Sequence, residues 1–181
     1  KNLGIKMLSY PEVLGVVSKE KYTIAVSGTH GKTTTTAMIG KILVDTDKDP
    51  TIIVGSLMKG PMSNLVVGES QYFVVEACEY RRSFLKLTPR IVVITNIDND
   101  HLDYYKDLED IKSAFRELVS KLGENDYLVC NKKDERLQGI VQSAKCTVVD
   151  YTENTLAENL ELKVFGAHNV ENAKAALSVT E

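Results

Sequence analysis

Short apolar runs rich in Val and Ile recur along the chain at Thr23–Ser27, Thr51–Val54, Tyr72–Ala77, Ile91–Asn96, Tyr127–Cys130, Thr147–Asp150 and Leu160–Val164. Most are continuous and do not alternate with polar residues, the pattern of strands covered on both faces in a parallel sheet. Between them the period is helical. Leu108, Ile111, Phe115, Leu118 and Leu122 follow at intervals of three and four, which predicts an amphipathic helix over Leu108–Leu122 with Asp107 as its N-cap. Helices are also predicted over Thr33–Val44, Arg136–Ala144 and Val170–Val179, and Lys59–Ser70, with Gly60-Pro61 and no period, reads as a surface loop. Strands alternating with helices imply an α/β fold of three layers, a mostly parallel sheet flanked by helices with right-handed crossovers.

Composition narrows the function without naming it. The 181 residues fit one domain that can bury its core without disulfides, and 43% hydrophobic with 26% charged residues is ordinary for a globular chain. A net charge of −3 argues against a general nucleic-acid or membrane-surface binder, which needs a basic field. No apolar run approaches membrane-spanning length. Cys78, Cys130 and Cys146 are far apart without CxxC spacing, so they read as reduced, mostly buried thiols of a cytoplasmic protein.

The chemistry begins after the first strand, at Gly28-Thr29-His30-Gly31-Lys32-Thr33-Thr34. A buried strand entering a Gly-rich turn and then Lys-Thr is how a chain cradles polyphosphate. The glycines let backbone N–H groups point inward, Lys32 adds a mobile positive charge, the Thr33 hydroxyl can ligate Mg²⁺, and the helix dipole points the same way. This makes the sheet P-loop NTPase-like. The first glycine of the usual pattern is replaced by Val26, with Gly28 three residues before Gly31. The plain alternative is a strand–helix turn that binds nothing.

Ligands of an open parallel sheet collect beyond the carboxyl ends of its strands. Glu76 ends the run Val74-Val75-Glu76 and is either a Mg²⁺ ligand beside the phosphates or a capping, salt-bridged carboxylate. The strand ending at Thr95 leads into Asn96-Ile-Asp-Asn-Asp-His101-Leu-Asp103, where His101 can ligate a second metal or touch a phosphoryl oxygen. Asn96 is the second functional candidate there, while Asp98, Asp100 and Asp103 read as turn and cap residues. His168-Asn169-x-x-Asn172 opens the last helix, and its amides can cap that helix or pair with a base such as adenine.

Together, Gly28–Thr33, Glu76, Thr95-Asn96 with Asp100-His101-Leu-Asp103, and Gly166-x-His168-Asn169-x-x-Asn172 resemble the central domain of the Mur ligases. These are the ATP-dependent amide ligases of peptidoglycan precursor synthesis. Thr29-His30, the four threonines 33–36, Ser83-Phe-Leu85 and the leading Leu8–Leu14 most resemble the branch that joins L-alanine to UDP-N-acetylmuramate. The branch that recycles a murein tripeptide is the alternative, and a stand-alone P-loop NTPase or kinase is a reading from another class.

The resemblance implies roles. Gly28, Thr29, His30, Gly31, Lys32, Thr33 and Thr34 would hold the ATP phosphates, with Lys32 on the transferred group. Thr33 and Glu76 would bind one Mg²⁺ and His101 a second. Lys32, Glu76 and His101 would be the catalytic set, Asn96 a further nucleotide contact, and His168, Asn169 and Asn172 the adenine contacts. The γ-phosphoryl group would pass to the substrate carboxylate, and the amine of L-alanine would attack the acyl phosphate.

Relatives usually read Glu-Ala-Asp-Glu-Ser-Asp around the metal glutamate, where this chain has Glu76-Ala-Cys78-Glu79-Tyr80-Arg81. Glu79 could orient the incoming amine. No lysine near Phe115-Arg116 matches the carbamylated one of some members. The resemblance also implies that residues 1–20 are the tail of an N-terminal UDP-binding domain, that 21–181 are the central ATP-binding domain, and that a C-terminal domain is absent.

Overall fold

The computed structural model describes residues 7–58, 62–160, 162 and 164–180. Among them a seven-stranded sheet runs through the molecule in the order β3-β2-β4-β1-β5-β6-β7. The strands are β1 Tyr22–Ser27, β2 Thr51–Met58, β3 Ser63–Val66, β4 Tyr72–Glu76, β5 Ile91–Ile94, β6 Tyr127–Cys130 and β7 Thr147–Asp150. All neighbours pair in parallel except β3, which runs antiparallel to β2 at the edge. The helices are α1 Tyr10–Glu20, α2 Lys32–Asp45, α3 Leu108–Val119, α4 Gln138–Ser143 and α5 Ala167–Thr180.

Alternation along the central strands divides the core into two halves. Ala25, Val75, Val92, Ile94 and Leu128 face one way, against Phe84 and the α3 residues Ile111, Phe115 and Leu118. Ile24, Val26, Val74, Val93 and Val129 face the other, against Ile39 and Leu43 of α2 and Ala175 and Ala176 of α5. Phe73, Phe84 and Phe115 are essentially inaccessible, and each contributes about 2–3 kcal/mol of apolar burial. This is the three-layer α/β arrangement expected from the sequence. Among the described residues no helix is long and apolar enough to cross a membrane.

The differences from expectation have local causes. The segment read as a loop contains β3, and residues 59–61 of it lie outside the described residues. α1 was not predicted. Its Pro11 stands in the first turn, and the Ser9 N–H and hydroxyl both donate to Glu12 Oε2, at 2.8 and 2.6 Å. α3 keeps its N-cap, with Asp110 N–H donating to Asp107 Oδ1 at 2.9 Å. It ends at Val119 because Lys121 and Leu122 close i→i+3 turns on Leu118 and Val119. α4 starts only at Gln138, since Asp134 holds Arg136 and Leu137 in a turn. The strand expected over Leu160–Val164 is not present at Leu160, Leu162 or Val164, and residues 161 and 163 lie outside the described residues. Of the cysteines, Cys130 is buried, Cys146 half-buried and Cys78 exposed, and all are free.

Candidate functional site

β1 lies at the centre of the sheet, with β4 on one side and β5 on the other. After β1 the chain passes beyond β4 to β2, and after β5 it continues the other way to β6 and β7. The crevice beyond the carboxyl ends of β4, β1 and β5 is therefore the switch point where such sheets bind ligands. Every residue expected at the site from the sequence, except those on α5, leaves one of these three strand ends.

The loop after β1 bends through two left-handed glycines, Gly28 at φ 134° and Gly31 at φ 84°, and Gly31 is the N-cap of α2. A side chain at Gly28 would strike Thr95 and Asn96, and one at Gly31 would strike Asn172. Both positions thus need glycine for conformation and for space. The loop is stitched to the segment after β5. Thr29 N–H donates to Asn96 O at 3.0 Å and His30 N–H to Asn96 Oδ1 at 2.9 Å. The Asn96 amide donates back to His30 O at 3.0 Å, as does the Thr95 hydroxyl at 2.6 Å. The Asn96 side chain is thereby engaged at both ends by the backbone of the loop.

Lys32 opens α2 and folds over the loop that precedes it. Its ammonium donates to Gly28 O at 2.5 Å, to Thr29 O at 3.1 Å and to Glu79 Oε1 at 3.1 Å. Thr29–Thr34 and Glu76 line an open polar cavity of about 420 Å³. Glu76 stands opposite Val26 in the β1–β4 register and accepts the Gly55 N–H at 2.6 Å. Gly55 carries no Cβ that would strike that carboxylate. A hydroxyl at Thr33 and a carboxylate at Glu76 on one polar wall are hard oxygen donors, a set that fits Mg²⁺.

His101 sits in a left-handed turn, φ 54°, with its Nε2 3.7 Å from Glu79 Oε1 and 3.8 Å from Asp100 Oδ2. The Tyr80 ring lies 4.8 Å from the imidazole, and the Tyr80 hydroxyl donates to Asp103 Oδ2 at 2.8 Å. Below them the buried Tyr105 hydroxyl donates to Glu79 O at 2.5 Å, and burial pushes its pKa up to about 12. The Asp98 carboxyl is held below its ordinary value, first by the Asn99 N–H and then by Arg136, and takes no part in this cluster.

On the α5 side a second cavity, about 560 Å³, is bordered by His30, Gly31, Asn96, Tyr151, His168 and Asn172. His30 and Gly31 also border the 420 Å³ cavity, so the two meet across the loop. Asn172 is buried and His168 exposed. Asn169 does not line the cavity; its amide donates to Phe165 O at 2.8 Å and its Oδ1 accepts from Asn172 at 3.4 Å.

Two features escaped sequence reasoning. Glu79, read from the sequence only as a residue that could orient the incoming amine, is the carboxylate that bonds Lys32 at 3.1 Å and lies 3.7 Å from His101 Nε2. Tyr151, whose hydroxyl donates to Thr95 O at 3.0 Å, lines the larger cavity and carried no motif.

The chain resembles known proteins over nearly its full length. It is 42% identical to the UDP-N-acetylmuramate–L-alanine ligase of Caldicellulosiruptor saccharolyticus and 41% identical to that of Clostridium kluyveri. Both matches cover 99% of this chain and 45% of the relative, so the chain spans less than half their length. Among solved structures, the UDP-N-acetylmuramate-alanine ligase of Thermotoga maritima superposes with a TM-score of 0.76 at 28% identity, over 94% of this chain and 43% of that one. The UDP-N-acetylmuramate:L-alanyl-gamma-D-glutamyl-meso-diaminopimelate ligase of Neisseria meningitides gives 0.86 over 99% of this chain and 67% of that one; at 24% identity it shows the fold alone. Residues 26–161 match the Mur ligase middle domain, and the chain belongs to that family.

Proposed function

We propose that this chain is the nucleotide-binding part of a ligase that joins L-alanine to UDP-N-acetylmuramate, converting ATP to ADP and phosphate through an acyl phosphate. The observation that carries the proposal is the convergence of the Gly28–Thr34 loop, Glu76 and His101 beyond the carboxyl ends of β1, β4 and β5. The 41–42% identical relatives, which bear the name of that ligase, favour L-alanine over a tripeptide as the amine.

In this reading the loop N–H groups at the start of α2 face the phosphate oxygens, with the helix dipole behind them. Lys32 leaves its carbonyl and carboxylate partners to neutralise the transferred group. Thr33 and Glu76 would hold one Mg²⁺ and His101 a second. Bound Mg²⁺ supplies the charge neutralisation that lets a carboxylate and a polyphosphate approach each other. Asn96 keeps the loop in register, and His168 and Asn172 border the place for the base, with Asn169 fixing the Asn172 amide. A carboxylate is a poor acyl donor; phosphorylation gives it a leaving group that the amine of L-alanine displaces.

Residues 1–20 would belong to a preceding uridine-nucleotide domain, and a third domain would close over the nucleotide and bring the amine. The isolated chain would then bind nucleotide without ligating, because closure excludes water and positions the reactants. The test is ADP release by the whole ligase carrying this sequence. Release that requires both UDP-N-acetylmuramate and L-alanine supports the proposal. Release with a tripeptide but not with L-alanine, or with neither amine, contradicts it.

A further inference from the structure

An ammonium has three N–H donors, and Lys32 gives them to Gly28 O at 2.5 Å, to Thr29 O at 3.1 Å and to Glu79 Oε1 at 3.1 Å. A phosphoryl oxygen can therefore reach Lys32 only by displacing one of the three. Two of these acceptors are neutral carbonyls of the loop itself. The third is a carboxylate from the segment after β4, and its charge makes it the strongest holder. Glu79 is also fixed where it stands. It is 2% exposed, and its carbonyl oxygen accepts the Tyr105 hydroxyl at 2.5 Å and the Arg82 N–H at 2.9 Å. The chain leaves it through Arg81 and Arg82, both non-glycine residues at positive φ, 52° and 55°. Lys32 ends a flexible four-carbon stem, so the pair opens by movement of the lysine while the carboxylate stays behind.

We propose that Glu79 is a positioning residue for Lys32: it holds the lysine in reserve beside the loop, and a nucleotide binds by winning the ammonium from it. The inference rests on the proposed nucleotide site and gives Glu79 a task within it. Each binding event leaves a buried carboxylate without its cation, so the attraction between Lys32 and the phosphates is partly offset by the cost of opening the pair. Glu79 thereby lowers nucleotide affinity. When the product leaves, the same carboxylate recaptures the ammonium, which favours release. The sign of the effect sets this role apart from a structural one. A residue that only supports the loop weakens binding when it is altered, whereas Glu79 strengthens binding when its charge is removed or withdrawn.

The test compares the chain with Glu79→Gln in two readouts. Titration with a non-hydrolysable ATP analogue and Mg²⁺ is expected to show binding about 5-fold tighter in the variant. A Lys32→Met background is expected to remove most of that gain, because Glu79 acts through the lysine. The second readout uses no nucleotide: acetylation of Lys32 by an amine-reactive ester, followed by mass spectrometry, is expected to run several-fold faster in Glu79→Gln. Glu79→Asp keeps the charge but draws it back from the ammonium. It is expected to shift both readouts the same way, and it decides the matter if Glu79→Gln does not fold. Unchanged or weaker binding in the folded variants, an equal gain without Lys32, or acetylation that neither variant moves overturns the role. Absence of binding in every form, with acetylation still altered, counts against the proposed nucleotide site itself and against the role with it, so the two failures are told apart.

Discussion

The Lys32 ammonium is tied at once to its own loop and to the segment after β4, 2.5 Å from the Gly28 carbonyl oxygen and 3.1 Å from Glu79 Oε1. Lys32 and Glu79 are 15% and 3% exposed at the side chain, so the pair is desolvated and its two halves are not equivalent. Removing the lysine strands a buried carboxylate, whereas removing the carboxylate leaves the lysine with two carbonyl acceptors. Lys32→Met is therefore expected to cost about 3 kcal/mol in urea unfolding and Glu79→Gln about 1 kcal/mol. Equal costs would mean that water reaches the pair.

Gly31→Ala combines a left-handed backbone with a Cβ pushed into the Asn172 amide. A loss of about 1–3 kcal/mol is expected by thermal or urea unfolding, together with a large loss of nucleotide affinity. Stability and affinity both unchanged would show that the loop does not adopt this conformation.

Much of this arrangement can be read from the residues, and the exceptions have physical reasons. β1, β4–β7 and the first half of β2 are legible because strands packed within the sheet are apolar runs, whereas β2 continues past Val54 to Met58 through the exposed Gly55, Ser56 and Leu57. β3 is not, since Asn64 and Leu65 at the sheet edge are both exposed. α1 is hidden for the opposite reason. Its fully buried residues are Gly15 and Ser18, and although Leu14 and Val17 pack against the core, Val13 and Val16 beside them are exposed, so the apolar positions do not single out the packed side. Gly15 lies where a Cβ would meet Lys86 O at 2.6 Å, and Ser18 Oγ accepts the Thr88 N–H at 3.0 Å. The Gly28–Thr34 loop and the strand-end positions of Glu76 and His101 follow from the motif and the alternation of strands. The burial of Glu79 does not, because it depends on two non-glycine residues, Arg81 and Arg82, turning through positive φ.

Asn96 spends its whole amide on the His30 backbone. Asn96→Asp keeps the acceptor for His30 N–H but sets a second oxygen against His30 O. Thermal unfolding is expected to show a loss of about 1–2 kcal/mol, with weaker nucleotide binding because the loop loosens. An unchanged melting temperature would mean that this pair does not hold the loop.

Tyr105 links stability to alkaline pH. Its pKa rises from 10.0 to about 12 on folding, chiefly through burial, so the folded state keeps the proton longer. The associated stability is fully present below pH 10 and is lost as pH rises from 10 through 12, by about 2 kcal/mol in total. Tyr105→Phe should cost about 1 kcal/mol at neutral pH, for the bond to Glu79 O, and should flatten this alkaline decline. Urea unfolding at pH 8, 10 and 11 checks both; an equally steep decline in the variant would assign the effect elsewhere.

The central claim, that the Gly28–Thr34 loop and Glu76 form a magnesium-dependent polyphosphate site, is tested most directly by isothermal titration. The chain is titrated with a non-hydrolysable ATP analogue, with and without Mg²⁺, and the titration is repeated on Lys32→Ala and Glu76→Ala. Binding that requires Mg²⁺ and falls about 10-fold or more in each folded variant is the expected result. Binding that ignores Mg²⁺ and both substitutions would contradict the account.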